Sequence, residues 1–307
     1  MAHHWGIDLG GTKIEGVVLD SSAPNRPVCR LRVPTEAEKG YGHILGQIAK
    51  LCDSIRVETG LPLPERMGMG TPGVIDPKTG KLKNSNTQCL NGQQLGPDLE
   101  ARLPVKFILA NDANCFALAE TLLGAGGGFP TVFGVILGTG IGGGIVVNGQ
   151  VLSGRHGIAG EWGQLILDPD GPLSNYGTRG TVEAILAGPA LERFYAERSG
   201  CPRKLKEIAD LAAGKTDPDA VLTIDRLTDY LAKALGSVID ILDPHAIILG
   251  GGVGNIDALY TEAMRKKITA SIFNSEFQAT LLKPKLGDSA GVFGAAMLIA
   301  HAKAFSI

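Results

Sequence analysis

The sequence is short of cysteine, of unbalanced charge and of long apolar runs. Its 307 residues include five cysteines, Cys29, Cys52, Cys89, Cys115 and Cys201. The number is odd and no pair forms a CxxC or zinc-finger spacing, a pattern of reduced thiols in a cytoplasmic protein rather than of a disulfide framework. Each reads as a small buried or half-buried side chain. The formal net charge of -2 excludes a nucleic-acid binder that works through bulk positive charge. No apolar run reaches the roughly 18–20 residues of a membrane span. Met1-Ala2-His3-His4-Trp5 lacks the cationic and long apolar regions of a secretory signal, so none is expected. Glycine, by contrast, is plentiful at 43 residues and is spread through apolar segments. A chain of this size buries roughly 70–75% of its extended-chain surface, so a core forms without disulfides or metal. Length alone fits two domains or one large one.

Periodicity divides the chain into two similar halves. Trp5–Leu9 reads as a buried strand, Gly10-Gly11-Thr12 as a turn and Lys13–Asp20 as the returning strand. Ile44–Thr59 has helical spacing, with Ile44, Ile48, Leu51, Cys52 and Ile55 on one stripe. Arg66–Gly70 reads as a short strand ending in Thr71-Pro72-Gly73. Val105–Ala110 reads as an apolar strand, and Asn114–Leu123 as a helix. The pattern restarts with a strand at Val132–Leu137, a Gly138-Thr139-Gly140 turn and a strand at Gly143–Val147. Gln150–Leu152 follows the hairpin signal Asn148-Gly149. Val182–Leu242 reads as mostly helical. Ala246–Leu249 is a strand emptying into Gly250-Gly251-Gly252, and a helix rich in small residues spans about Gly291–Lys303. Two α/β halves with a Gly-rich cleft between them are expected.

Five motifs carry chemistry. In Asp8-Leu9-Gly10-Gly11-Thr12-Lys13, glycine N–H groups can face a phosphate, Thr12 adds a hydroxyl and Lys13 a charge. Asp8 could hold the water shell of Mg²⁺. An ordinary Gly-Gly turn is the alternative; a Walker A loop is excluded by the order of Thr and Lys. Gly138–Gly144 matches GxGxxG but leads into an apolar strand rather than a helix, so a second phosphate turn fits better than a dinucleotide fingerprint. Gly250-Gly251-Gly252 offers bare backbone to a purine or ribose, or is simply a tight turn. Asn111-Asp112 stands at the carboxyl end of a strand, where open α/β sheets bind ligands; the competing reading of Asp112 is a helix N-cap. Glu161 and Glu183 suit hydroxyl recognition or structural ion pairs.

Taken in order, Asp8–Lys13, Gly70–Gly73, Leu109–Ala113, Leu137–Gly144, Gly160–Gly163, Gly177-Thr178-Arg179-Gly180, Glu183 and Leu249–Asn255 resemble the ROK family of sugar kinases in the actin–hexokinase superfamily. The resemblance implies an α/β, two-domain duplicated actin/hexokinase-like (ribonuclease H-like) fold with a ligand cleft between the domains. It implies an N-terminal domain of residues 1–114 completed by a C-terminal helix, about 291–307, and a larger C-terminal domain of residues 115–290. ATP and Mg²⁺ are the implied cofactors. The implied reaction is phosphorylation of a hexose hydroxyl in the cytoplasm, by a homodimer without nucleic-acid or membrane partners.

Matched position by position, Asp112 stands where the family has its general base. Gly73, Asn86, Asn111, Glu161, Gln164 and Glu183 fall at substrate positions. Asp8, Gly10, Gly11, Thr12, Lys13, Gly138, Thr139, Gly140, Gly251 and Gly252 fall at ATP and phosphate positions, with Asp8 also the Mg²⁺ position, through water. Lys83–Asn86 through Leu90–Gln93, Gly160–Gly163 and Leu242–Pro244 look most like the fructokinase/mannokinase branch, so fructose, glucose or mannose is the expected substrate. Asn111–Leu118 looks equally like N-acetylglucosamine kinases, which makes an N-acetylhexosamine the alternative. Polyphosphate is a second possible donor.

One departure is large. Where the family usually binds a structural zinc with one His and three Cys, this sequence has Gln164, Ser174, Tyr176 and Thr181, none a good ligand. No zinc is expected, and Leu173 and Tyr176 are expected to pack where it would sit. The reading from a different class is a non-catalytic sugar-binding regulator. Family repressors carry a helix-turn-helix domain before the first phosphate strand; here that strand begins at Trp5, and Asp8 and Asp112 are both present, which favours a kinase.

Overall fold

A computed structural model describes residues 2–301. They form two compact units. The first takes in residues up to Gly128, Gly144–Ala159 and those from Lys285 on; the second comprises Phe129–Gly143 and Gly160–Pro284. In the first unit the chain runs through β1 (His3–Leu9), β2 (Lys13–Asp20), β3 (Pro27–Pro34), α1 (Tyr41–Thr59), β4 (Arg66–Thr71), β5 (Val74–Ile75), β6 (Leu82–Lys83), α2 (Leu95–Glu100), β7 (Lys106–Asn111) and α3 (Asp112–Leu122). Its five-stranded sheet has the order β3-β2-β1-β4-β7. The first three strands are antiparallel, and β1, β4 and β7 are parallel. The predicted apolar stripe of α1 is wholly buried. It lies so close to β2 that a Cβ on Gly16 would come within 2.6 Å of Ile55 Cδ1.

The chain continues through β8 (Thr131–Leu137), β9 (Ile141–Val147), β10 (Gln150–Val151), α4 (Val182–Leu186), α5 (Gly188–Ser199), α6 (Leu205–Ala213), α7 (Pro218–Leu242), β11 (Ala246–Gly250), α8 (Gly251–Gly254), α9 (Glu262–Thr269) and β12 (Thr280–Leu282). The second sheet has the order β10-β9-β8-β11-β12. Each sheet thus places its third strand in sequence at one edge, followed by the second, first, fourth and fifth. The duplication read from the two Gly-Thr turns is a duplication of topology. The helical stretch expected over Val182–Leu242 resolves into four helices. The longest, α7, starts where Asp217 accepts hydrogen bonds from Asp219 N–H and Ala220 N–H, with Pro218 at its first position.

The last helix, α10 (Ala290–His301), belongs to the first unit; the expected extension to residue 307 lies outside the described residues. A Cβ on Gly68 would stand 1.7 Å from Ala295 O, on Gly6 2.4 Å from Ala296 N, and on Gly294 1.8 Å from Cys115 O of α3. Sheet, α10 and α3 therefore meet backbone to backbone, which is why α10 is built of small residues. Packed in this way, α3 belongs with the first compact unit, which runs on to Gly128. Glu120, fully buried near the end of α3, secures the arrangement. Its carboxylate accepts hydrogen bonds from Ala125 N–H (2.9 Å), Lys285 N–H (3.0 Å) and Leu286 N–H (2.8 Å). Among the described residues, no helix is long and apolar enough to cross a membrane.

Candidate active site

The first unit gathers one group of the expected residues at the carboxyl ends of its parallel strands. Asp8 of β1 pairs in register with Gly70 of β4, which pairs with Ala110 of β7; Asn111 follows directly. Space at position 70 is tight: a Cβ would come within 3.2 Å of Asp8 Oδ1. The Gly10–Thr12 turn is held by Gly10 N–H to Lys13 O (3.0 Å), by Thr35 N–H to Thr12 O (3.0 Å) and by the Thr35 hydroxyl to Gly10 O (2.7 Å). Gly11 N–H and Thr12 N–H have no backbone partner among the described residues. Among the described residues beyond its chain neighbours, the atom within 4 Å of a Cβ on Gly11 would be Thr87 Oγ1, at 3.7 Å. This is bare backbone able to meet an anion. Lys13 is less free than expected: its ammonium lies 3.7 Å from Glu15, a buried carboxylate that also holds Arg30 and Arg32.

Asp112 is not the N-cap of α3. Asn111 takes that place, its Oδ1 accepting from Ala113 N–H (3.0 Å), and the helix starts at Asp112 rather than at Asn114. Asp112 stands at the positive end of α3 with one oxygen accepting from Ala113 N–H (2.8 Å). Water reaches its side chain, yet the protein around it raises its pKa by desolvation, against lowering hydrogen bonds from Ala113, Asn111 and its own N–H. Asp8 is pushed up to about 7, by desolvation first and then by the charges of Asp112 and Glu15, with Lys13 opposing. Asn111 also donates to Gly73 O (3.5 Å). Glycine at position 73 is explained by packing, since a Cβ would come within 2.7 Å of Lys83 O. Asn86 is exposed on a loop fixed by Asn91, which donates to Ser85 O and accepts from Ser85 N–H, both at 2.9 Å.

The second unit holds the other group. Its Gly138–Gly140 turn closes through Gly138 N–H to Gly140 O (2.9 Å), and Gly188 N–H reaches Gly138 O (2.8 Å). Glu183 braces the turn by accepting from Ile141 N–H (2.9 Å), and its carboxylate fills the space that a Cβ on Gly140 would take. The Glu161–Gln164 segment is anchored by Trp162, whose indole N–H donates to Gly142 O (3.0 Å) and whose ring meets Phe133 edge to face. A cavity of about 1050 Å³ adjoins the turn, lined among others by Gly138, Thr139, Gly188, Leu205, Ile224 and Gly252. The two glycines after β11 separate in role. Gly252 has open space where a Cβ would stand and lines the cavity. Gly251 has φ +80°, and a Cβ there would strike Leu137 O at 2.2 Å, so it serves the turn. Thr35, Gly188 and the α6–α7 cavity wall carry no motif; Trp162 and Asn91 lay inside stretches already singled out.

The four positions at the family's zinc site do not form a ligand set. The Ser174 hydroxyl accepts from Tyr176 N–H and Thr178 N–H, both at 3.2 Å. The Thr181 hydroxyl caps α4 by accepting from Ala184 N–H (3.2 Å). Leu173 and Tyr176 do not pack into a vacated metal position: they are 60% and 55% exposed. The loop is held instead by backbone bonds, including Leu167 N–H to Gly180 O and Gly180 N–H to Pro172 O, both 2.8 Å. For Mg²⁺ the fit is better, since an ion carried by phosphates needs few protein ligands. Asp8 is a crowded carboxylate at the foot of the first glycine turn, where desolvation and then the charges of Asp112 and Glu15 raise its pKa.

Comparison with known proteins adds to this geometry. The family model described as "ROK family" matches residues 4–302. The N-acetyl-D-glucosamine kinase of Aliivibrio salmonicida is 36% identical over 305 residues, covering 96% of this chain and 99% of its own. The ROK hexokinase of Thermus thermophilus superposes with a TM-score of 0.84 at 32% identity, covering 98% of this chain and 99% of its own. A ROK family glucokinase of Streptomyces griseus, solved with glucose and AMPPNP, superposes with a TM-score of 0.77 at 28% identity, covering 97% and 99%.

Proposed function

The chain belongs to the ROK family and is a sugar kinase, and on that premise we propose that it transfers the terminal phosphate of ATP to a hydroxyl of an N-acetylated hexosamine, N-acetyl-D-glucosamine first. The observation that carries the choice of sugar is the full-length identity to the Aliivibrio N-acetyl-D-glucosamine kinase. This reverses the order expected from the branch motifs, which put fructose, glucose and mannose ahead. A plain hexose is the second reading, supported by the likeness to the Thermus hexokinase.

In the proposed reaction Asp112 accepts the proton of the attacking sugar hydroxyl, the hydroxyl oxygen bonds to the terminal phosphorus of ATP, and ADP leaves. Asn111 holds the start of α3 and so fixes the carboxylate of Asp112. Asn86, Glu161 and Gln164 bind sugar hydroxyls, and Glu183 both binds sugar and keeps the second glycine turn in shape. Gly10, Gly11 and Thr12 present N–H groups to phosphate, as do Gly138 and Thr139. The cavity behind Gly252 takes the nucleoside; the glucokinase solved with AMPPNP supports ATP as donor. Mg²⁺, when bound, would sit by Asp8 through water and neutralise charge on the triphosphate.

The test is a coupled ADP-release assay on N-acetylglucosamine, N-acetylmannosamine, glucose, mannose and fructose. N-acetylglucosamine should give the highest kcat/KM. Turnover of plain hexoses alone would overturn the sugar assignment. Asp112→Asn should lower kcat by about 10²–10⁴, the weight of a general base; near-normal kcat would remove Asp112 from that role.

A further inference from the structure

The cavity beside the second glycine turn is lined wholly by residues of the second unit. Two helix faces form much of its wall. Leu205, Ala209 and Ala212 stand at i, i+4 and i+7 on α6, and Val221, Ile224 and Asp225 at i, i+3 and i+4 on α7. Leu205 and Ile224 are both buried, so these faces are firmly packed. Val253 and Ile256 add apolar surface next to Gly252.

Most polar side chains around the cavity are already committed. Glu192 accepts from Leu205 N–H (3.0 Å) and pairs with Lys204 (3.3 Å). Lys206 pairs with Asp210 (2.9 Å), and Asp257 with Lys283 (2.7 Å). Asp225 differs. Its backbone oxygen accepts from the Thr228 hydroxyl (3.0 Å), but among the described residues no hydrogen bond or ion pair engages its carboxylate. A carboxylate without a partner accepts hydrogen bonds. A ligand in this cavity is therefore recognised by a donor group, and the apolar helix faces favour a flat, weakly polar body around that donor.

Resting on the reading of this cavity as the nucleoside site, we propose that Asp225 is a specificity-determining residue for the phosphate donor, its carboxylate accepting a hydrogen bond from the exocyclic amine of adenine. The phosphates meet the turn at Gly138 and Thr139, and the ribose follows them beside Gly252. The base is the far end of the nucleotide and lies against the α6 and α7 faces, where Asp225 stands one residue on from Ile224. A purine without the amine makes the same apolar contacts and lacks this bond.

The experiment measures kcat and KM for ATP, purine riboside triphosphate and 2′-deoxy-ATP, and KM for the preferred sugar, in wild type, Asp225→Asn and Asp225→Ala. Melting temperature is the folding control; it should stay unchanged, because Asp225 is exposed and its carboxylate holds no other group. Wild type should favour ATP over purine riboside triphosphate, which has hydrogen in place of the amine, by about tenfold or more in kcat/KM. Asp225→Ala should raise KM for ATP about tenfold or more and bring these two donors within about twofold of each other, while KM for the sugar stays within about twofold. Asp225→Asn keeps one acceptor oxygen and should fall between. If wild type does not separate the two donors, or if Asp225→Ala lowers kcat/KM for both alike, the proposal is wrong while the kinase reading stands. A variant that loses instead a preference for ATP over 2′-deoxy-ATP places Asp225 on the ribose and also overturns the proposal. A wild-type enzyme that uses inorganic tripolyphosphate as well as ATP overturns the nucleoside reading of the cavity, and this proposal with it.

Discussion

Replacing Glu120 with Gln changes one atom and should unsettle the whole first unit. The carboxylate is fully buried and accepts from three backbone N–H groups, those of Ala125, Lys285 and Leu286, at 2.8–3.0 Å. An amide keeps one acceptor oxygen and turns an NH₂ group toward the remaining donors. At least one buried N–H is then left without an acceptor and the others lose a charged partner. Unmade buried hydrogen bonds cost about 1–3 kcal/mol each, and bonds to a charged group contribute about 1.5–3 kcal/mol. The expected loss is about 3–5 kcal/mol. For a folding unit of roughly 150–250 residues each kcal/mol moves the melting temperature by about 2–4 °C, so the shift should be about 10 °C. Differential scanning calorimetry at neutral pH, without ligands, reads this directly. Asp112 sits at the opposite end of α3, so kcat at a temperature below the transition should stay within about twofold of wild type. A melting temperature within about 2 °C of wild type would refute the reasoning, because it would mean that the three N–H groups find other partners at no cost.

The half-buried Asp8 gives a pH dependence. Its pKa in the folded protein is raised from 3.8 to about 7, so its contribution to stability is fully present below about pH 4 and is lost as pH rises through about 7. Asp8→Asn should remove that part of the slope in a melting series over the same range; an unchanged slope would count against it. Gly251→Ala should destabilise by about 2–4 kcal/mol through a left-handed backbone and a clash with Leu137 O, whereas Gly252→Ala should fold normally and raise KM for ATP. Equal melting temperatures for the two variants would contradict the division of roles. A zinc-selective chelator should leave the melting temperature unchanged with Mg²⁺ held constant, since Ser174 and Thr181 spend their hydroxyls on backbone N–H groups. A marked fall would show that the loop binds metal after all.

Local patterns led correctly to β1, β2 and their turn, to α1, and to the Asn111-Asp112 step, because each is set by neighbours in sequence. β3 escaped notice: it is an edge strand bounded by Pro27 and Pro34, and its exposed Arg30 and Arg32 are held by Glu15 of the neighbouring strand. Which of Asn111 and Asp112 caps α3 could not be told from residue type, since both are good caps. Glu120 read as an ordinary helix residue, because its partners at Lys285 and Leu286 lie over 160 positions away. The same limit hid the difference between Gly251 and Gly252, which depends on the neighbouring strand. The packing expected of Leu173 and Tyr176 assumed that a lost metal must be replaced by apolar contacts; backbone pairing did the work.

The return of α10 to the first sheet sets a timetable for synthesis. β1 and β4 leave the ribosome early, yet the helix that lies against Gly6 and Gly68 is encoded after the whole of the second unit. At about 5–20 residues per second, the more than 200 intervening residues take roughly 10–50 s to make. Through that interval the nascent sheet has one apolar face without its cover, while Phe129–Gly143 and Gly160–Pro284 can already close into the second unit. The first part of the chain to be made is therefore the last to be finished, and a message cut short before residue 290 yields a sheet with no helix to seal it.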